Sequence, residues 1–286
     1  MDLRFDEKHC YRYDEAAHIT LNSELYRAMD MTLSRDVALK KVIIAGNNYK
    51  EKQENYNRAL QEVKTMVQIS GMTAKIPNIY TYFYDEKQSA LYIVMQWING
   101  QTLGEKMIKR VPDTVFLKWM QELVLILDVM GKKRFQHKDI KPDNIMFNSE
   151  NDLYLIDFNI SVSVPNQVEG TPLYKPPEMD FGSITADRSK ADMFSIGVML
   201  YQQITGYIPQ RMVDYDCFDP AGGKWDFFKQ PVEIKPDINT ELNDIVIRLM
   251  KYNPNDRFKS YADLNNKLKQ IERIIRNERK SGQRNR

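Results

Sequence analysis

The sequence predicts an α+β fold in two parts, a small sheet with one helix followed by a larger, mainly helical region. Three observations carry this expectation. β-Branched runs such as Val37-Ala38-Leu39-Lys40-Lys41-Val42-Ile43-Ile44 recur through the first hundred residues, a composition suited to strands. From Leu103 onward apolar residues recur at spacings of three and four, the period of a helix that buries one face. Between the two patterns lies Ile98-Asn99-Gly100-Gln101, a short polar connector of the kind that separates structural units.

Taken in order, residues 1–18 are polar and aromatic, with Tyr11 and Tyr13 as strand candidates. The stretches Ile19 to Ala28 and Arg35 to Ile44 read as two short strands, and Asn47 to Lys52 as a polar connection. A helix is predicted over Asn55 to Ile69, where Leu60, Val63, Met66 and Val67 form an apolar stripe. Ile76-Pro77-Asn78 breaks the chain, and strands at Ile79 to Tyr84 and Ala90 to Trp97 flank the turn Asp85-Glu86-Lys87-Gln88. Helical stripes then follow at Leu103–Lys109, Thr114–Met130, Lys190–Thr205, Thr240–Lys251 and Tyr261–Arg276. Asp113-Thr114 and Asp187-Arg188-Ser189 supply capping signals, and Thr205-Gly206 a helix stop. Tyr207 to Pro236, with its Pro, Gly-Gly and aromatic residues, reads as an irregular packed region. The expected organisation is 1–97, 98–276 and a basic tail, 277–286.

At 286 residues, 42% hydrophobic and 28% charged, the chain has the composition of a globular protein with a sizeable core. Its most apolar helical stretch is interrupted by Lys118, Gln121, Glu122 and Asp128, so no bilayer span is expected. The first residues contain no apolar segment of a secretory type. Cys10 and Cys217 offer neither a disulfide framework nor zinc spacing. The expectation is a cytoplasmic protein. Net charge is +2, yet Lys269 to Arg286 alone carries seven Lys or Arg against two Glu, so the remainder is mildly acidic. That balance argues against specific nucleic-acid binding. It leaves the tail either touching an anionic surface or forming a solvated helix end whose cations complement the helix dipole.

The densest chemistry lies in Phe135-Gln-His-Lys-Asp-Ile-Lys-Pro-Asp-Asn-Ile-Met-Phe147. Asp139, Lys141 and Asn144 supply a carboxylate, an ammonium group and an amide, suited to an acceptor hydroxyl, a phosphate and a metal ion. Asp157 ends the apolar run Leu153-Tyr154-Leu155-Ile156, where a carboxylate can meet Mg²⁺ while the strand stays dry. Together these positions point to phosphoryl transfer.

An ordered set of motifs extends this reading. Val-Ala-Leu-Lys ends at Lys40, a helix supplies Glu62, and His137 opens His-Lys-Asp-Ile-Lys-Pro-Asp-Asn. Then come Asp157-Phe-Asn, Gly170-Thr-Pro-Leu-Tyr-Lys-Pro-Pro-Glu178, Asp192-Met-Phe-Ser-Ile-Gly and Asn255-Asp-Arg-Phe. In that order they resemble the protein kinase superfamily of Ser/Thr type, from about Leu25 to Phe258. The resemblance implies a bilobal fold, with a small β-rich N-lobe carrying one helix and a larger helical C-lobe. It implies ATP and Mg²⁺ as cofactors and protein substrates with Ser or Thr acceptors.

Residue by residue, the resemblance makes Lys40 the ATP-phosphate lysine and Glu62 its partner. Leu25, Ala38, Met95, Gln96 and Ile98 would surround the adenine, Met95 as gatekeeper. Asp139 would be the catalytic base, Lys141 the γ-phosphate lysine, and Thr171 the tie between substrate loop and catalytic loop. Asn144 and Asp157 would be the Mg²⁺ ligands. His137 would steady the catalytic loop, Glu178 and Arg257 would form a buried ion pair, and Asp192 would anchor the catalytic-loop backbone.

Four departures stand out. His18, Thr20 and Ser23 occupy the three glycine positions of the phosphate loop, where side chains should hold the backbone away from phosphates. Asn159 replaces the glycine after Asp-Phe, Lys138 replaces the arginine before Asp139, and Pro176 replaces an alanine. With Lys138 and only Ser161 and Ser163 in a short loop, activation by phosphorylation is expected to be weak or absent. Two classes follow: an active Ser/Thr kinase with an unusual ATP loop, or a pseudokinase that acts as a binding or scaffold module.

Overall fold

The computed structural model describes residues 2–4, 9–20, 23–158, 173–180, 188–209 and 229–284. The early elements are β1 (Asp2–Arg4), β2 (Cys10–Ile19), β3 (Ser23–Asp30), β4 (Arg35–Ile43), α1 (Tyr49–Ser70), β5 (Ile79–Asp85), β6 (Ala90–Gln96) and β7 (Gly100–Thr102). Then come α2 (Leu103–Met107), α3 (Asp113–Lys132), β8 (Ile145–Asn148) and β9 (Leu153–Leu155). The remaining helices are α4 (Pro177–Asp180), α5 (Ala191–Thr205), α6 (Pro231–Ile234), α7 (Thr240–Leu249) and α8 (Tyr261–Arg284). The chain forms two compact units, Met1–Gly100 with Met146–Gln167, and Gln101–Ile145 with Val168–Arg286.

The first unit is a six-stranded sheet in the order β1-β2-β3-β4-β6-β5, antiparallel at every pairing. Alternation assigns its two faces. Tyr11, Ala28, Val37, Leu39, Ala90, Tyr92 and Val94 form one buried cluster, with Leu3, Tyr13, Tyr26 and Phe83 packed against it. The ring of Tyr11 on β2 lies 5.9 Å from that of Phe83 on β5, and Phe83 lies 5.5 Å from Tyr92. Since β3, β4 and β6 separate β2 from β5, that contact requires a strongly curled sheet, the outcome of right-handed strand twist. On the other face α1 packs against β5 and β6, burying Ala59, Val63, Met66 and Ile69 at spacings of three and four.

The second unit is helical around α5, which is buried along nearly its whole length, including Met193, Phe194, Ile196, Val198, Met199 and Leu200. A helix apolar on all sides belongs at the centre of a bundle. Its neighbour α7 comes close because position 197 is glycine: a Cβ there would stand 2.7 Å from Met250 Cγ and 2.8 Å from Leu249 Cβ. α8 packs along α3. Gly206 ends α5 at φ +79°, with its N–H donating to the Gln202 carbonyl, a left-handed C-cap that glycine adopts without strain.

The β-rich and helical parts agree with the predicted fold class, while several boundaries differ. The strand expected over 19–28 divides between the end of β2 at Ile19 and most of β3, which begins at Ser23. No Gly or Pro in the sequence marks the break; Thr20 and Ser23 bond to each other across it. Helix α1 begins at Tyr49, within the expected polar connection. Tyr49 to Glu54 is polar and gives no apolar stripe, but Asn48 caps the helix by accepting from the Glu51 N–H at 2.9 Å. Asp113 is the first residue of α3 rather than its cap, which is Pro112 with no side-chain bond. Asp187 lies outside the described residues. α8 runs eight residues beyond the expected Arg276, through a polar stretch with no stripe. α6 and the start of the connection from α6 to α7 fall inside the region expected to be irregular.

Candidate phosphoryl-transfer site

Each unit carries its own group of candidate residues. In the first, strand register places several of them on one face. Leu25 stands opposite Lys40, Arg27 opposite Ala38, and Ala38 in turn opposite Met95. Because opposed residues of an antiparallel pair share a face, Leu25, Ala38, Lys40 and Met95 line one side of the sheet. The aromatic cluster occupies the other. Ala38, Met95 and Ile98 are buried. Gln96 turns the opposite way, its N–H donating to the Asn78 carbonyl at 2.8 Å and its Oε1 accepting from the Asn78 N–H at 3.4 Å.

Lys40 Nζ donates to Asp157 Oδ1 at 2.6 Å, with the lysine side chain 12% exposed and the aspartate 43%. Asp157 sits at φ +56°, a backbone region that non-glycine residues occupy at some cost, aspartate among the least. Glu62 lies on α1, but its side chain is outside the described part of the structure. Asp157 is delivered by the hairpin β8–β9, and that hairpin is tied to the loop after α1. The Leu155 N–H donates to the Lys75 carbonyl at 2.9 Å, and Lys75 Nζ meets Asp152 Oδ1 at 2.7 Å. Lys75 holds the Asp152 carboxyl below its ordinary value, helped by Asn148. Sequence reading missed Lys75, since its partner lies 77 positions away with no local signal.

At the phosphate loop, the Thr20 N–H donates to the Ser23 carbonyl at 2.8 Å and the Ser23 N–H to Thr20 Oγ1 at 3.1 Å. The two hydroxyl oxygens stand 2.8 Å apart. His18 is exposed and pairs with Leu25 across β2 and β3. The two hydroxyl residues therefore bond to each other and engage the Ser23 N–H internally.

In the second unit, Asp139, Lys141 and Asn144 come together. Asn144 Nδ2 donates to Asp139 Oδ2 at 3.0 Å and to the Asp139 carbonyl at 2.8 Å. Lys141 Nζ stands 3.1 Å from the same Oδ2, and the Asp139 side chain is 10% exposed. Both amide bonds use Nδ2, so Oδ1 is the Asn144 atom that has lone pairs to offer a cation. A one-turn 3-10 segment, Pro142–Asn144, sets this geometry and packs against α2. Gly104 permits that packing: a Cβ there would stand 2.8 Å from Asp143 Oδ1. Sequence reading did not single out Gly104.

Below this group lies Asp192, 1% exposed at the start of α5. Its Oδ2 accepts from the His137 N–H at 3.0 Å and its Oδ1 from the Lys138 N–H at 2.8 Å. Burial pushes the Asp192 carboxyl up, opposed by the His137 ring and the two amide donors. Lys138 itself is at φ +66°. The pair of bonds fixes the backbone entering Asp139, as expected of Asp192. Glu178 and Arg257 form the expected buried pair, bidentate at 2.6 and 2.7 Å. Thr171, Asn159, Ser161, Ser163 and Cys217 lie outside the described residues.

These two groups, with the fold that carries them, define a protein kinase. A model of the protein kinase domain family matches residues 22–268, and the chain belongs to that family. Several of its relatives are named serine/threonine-protein kinases. A probable serine/threonine-protein kinase of Clostridium acetobutylicum is 27% identical over 275 residues, covering 91% of this chain and 40% of that protein. The serine/threonine-protein kinase PrkC of Bacillus subtilis is 24% identical over 265 residues, 86% of this chain and 38% of that protein. Aurora/IPL1-related protein kinase 2 of Caenorhabditis elegans is 36% identical over 191 residues, 63% and 59% respectively. The chain thus spans less than two thirds of the length of these relatives. Among the described residues no helix is long and apolar enough to cross a membrane.

Proposed function

We propose that the chain is a serine/threonine protein kinase that transfers the γ-phosphoryl group of ATP to hydroxyls of protein substrates. The observation that carries this is the Asp139 carboxylate, 10% exposed and held by Asn144 Nδ2 and Lys141 Nζ. A carboxylate so fixed orients an acceptor hydroxyl and takes its proton, and Lys141 offers positive charge beside it for the transferring group. Lys40 acts on the nucleotide's phosphates, with Glu62 proposed as its support. Leu25, Ala38, Met95, Gln96 and Ile98 contact the base, the first three from one sheet face. Thr171 is proposed to tie the substrate segment to the catalytic loop.

The residues fit Mg-ATP in kind. Among the described residues no three His, Cys, Asp or Glu side chains gather as a protein-only metal cage. Asn144 Oδ1 and the Asp157 carboxylate instead offer two hard oxygens, the number usual for a Mg²⁺ that brings phosphate oxygens with it. When bound, the ion would neutralise charge on the phosphates. Asp157 would hold the metal and Lys40 the phosphates, in place of the ion pair the two form with each other. In this division of labour residues 1–97 cover the nucleotide, 98–276 serve catalysis and substrate, and 277–286 form a basic tail. A cytoplasmic setting belongs to the same reading, from two cysteines without disulfide or zinc spacing.

The test is label transfer from γ-labelled Mg-ATP to a generic basic protein or to the chain itself. Wild type is expected to incorporate label, with Asp139→Asn reduced at least about a hundredfold. Equal incorporation by the two would refute Asp139 as base. The pseudokinase reading would give nucleotide binding with no label in either.

A further inference from the structure

The second unit contains a cavity of about 540 Å³ whose lining includes Arg134, Phe135 and Gln136, just ahead of Asp139 in the chain, but none of Asp139, Lys141 and Asn144. It is lined by the end of α3 and the loop after it, by the 3-10 turn before α5, and by the start of α8. Four cationic residues line it: Lys132, Arg134, Lys190 and Lys259. The one described carboxylate in the lining, Asp128, is already paired with Lys132 Nζ at 2.7 Å. Arg134, Lys190 and Lys259 make no ion pair among the described residues. Three cations that make no ion pair among the described residues stand around one concavity, where like charges repel. The arrangement is relieved by an anion.

We propose that this cavity binds a phosphoryl group. Arg134 offers a planar fork for two phosphate oxygens, and Lys190 and Lys259 offer point charges on either side. Ser260 caps α8 by accepting from the Asp263 N–H at 3.1 Å. Its hydroxyl proton is thereby left to donate, and the helix adds the positive end of its dipole. Burial holds the Tyr261 phenol well above its ordinary value, so it stays neutral and adds no opposing charge. Phe135, Met193 and the Tyr261 ring make the rest of the lining apolar, a surface for the body that carries the phosphoryl group. The volume lies in the range of small-ligand sites. Two sources share this chemistry, a free small phosphate compound and a phosphorylated serine or threonine on a protein chain.

The site is tested by titration calorimetry on the full chain, without nucleotide or Mg²⁺, using inorganic phosphate and a short phosphoserine peptide with its unphosphorylated form. Saturable binding is expected for phosphate, for the phosphopeptide or for both. Arg134→Ala/Lys259→Ala should weaken it roughly a hundredfold to ten-thousandfold, one charge-assisted contact being lost at each position. Lys40→Ala, in the other unit, should leave it unchanged. Phosphate binding as tightly as the phosphopeptide assigns the site to small phosphates; a phosphopeptide at least ten times tighter assigns it to modified protein. Overturning results are no saturable binding of either, equal binding by the double variant, or equal binding of the unphosphorylated peptide. Circular dichroism of the double variant, whose substituted side chains are surface cations, checks that the fold is kept. Because nothing in the measurement depends on phosphotransfer, its failure is separable from failure of the kinase reading.

Discussion

Arg257 is the residue whose removal the structure prices most clearly. A guanidinium has five N–H donors, and here five contacts meet them. Nε donates to the Lys251 carbonyl at 2.9 Å; Nη1 to Glu178 Oε1 at 2.6 Å and the Lys190 carbonyl at 3.0 Å; Nη2 to Glu178 Oε2 at 2.7 Å and the Tyr252 carbonyl at 3.3 Å. The side chain is fully buried and that of Glu178 is 5% exposed. Arg257→Met therefore leaves a buried carboxylate unpaired, a loss of about 3–5 kcal/mol. Natural domains have about 5–15 kcal/mol in total, so the variant should approach unfolding at room temperature. Glu178→Gln keeps the three carbonyl contacts and should lose less. Glu178→Met/Arg257→Met removes both charges and should be more stable than the sum of the single losses predicts, a positive coupling of a double-mutant cycle. Urea denaturation followed by tryptophan fluorescence measures all four proteins. A loss below about 1 kcal/mol in Arg257→Met, or no coupling, would show that the pair is not the buried, fully bonded unit described.

Three further outcomes follow from particular residues. Replacing the hydroxyl closure by Thr20→Gly/Ser23→Gly frees the Ser23 N–H and is expected to lower the KM for ATP roughly tenfold, by restoring one charge-assisted contact; an unchanged KM would mean those side chains do not hold the loop from the phosphates. Gly206→Ala forces a Cβ into φ +79° and should cost about 1 kcal/mol, read as a fall of a few degrees in Tm; no change would place the strain elsewhere. Burial pushes the phenols of Tyr92 and Tyr174 up to about 12. Their folded values exceed the unfolded value near 10, so the stability they contribute is complete below about pH 10 and is lost as pH rises through 12. Alkaline titration at 295 nm should show these tyrosines ionising together with unfolding, and free ionisation near pH 10 in the folded protein would contradict their burial.

Much of this was legible in the sequence because the relevant signals are local. The strand Val37–Ile43 announces itself by its apolar, β-branched run, and Lys40 falls within it. His137 to Asn144 carries its chemistry within eight positions, so Asp139, Lys141 and Asn144 were found before any contact was known. Long-range closure was not legible. Lys75 and Asp152 meet through folding alone, and Gly104 matters only because Asp143 approaches it. Curling of the sheet through Tyr11 and Phe83 depends on twist accumulated across the five strands from β2 to β5, which no window of sequence contains. The α1 start was missed for a different reason: its first turn is solvent-facing, and the cap at Asn48 was the sole cue.

The central claim is that Asp139 performs the proton step of a phosphoryl transfer while other residues hold the nucleotide. One Mg-ATP titration, followed by thermal shift and by label transfer in the same samples, tests it most directly. The account predicts that wild type and Asp139→Asn are stabilised at similar nucleotide concentrations, with label transferred by wild type alone. Stabilisation of both with label in neither, or equal label in both, would contradict it.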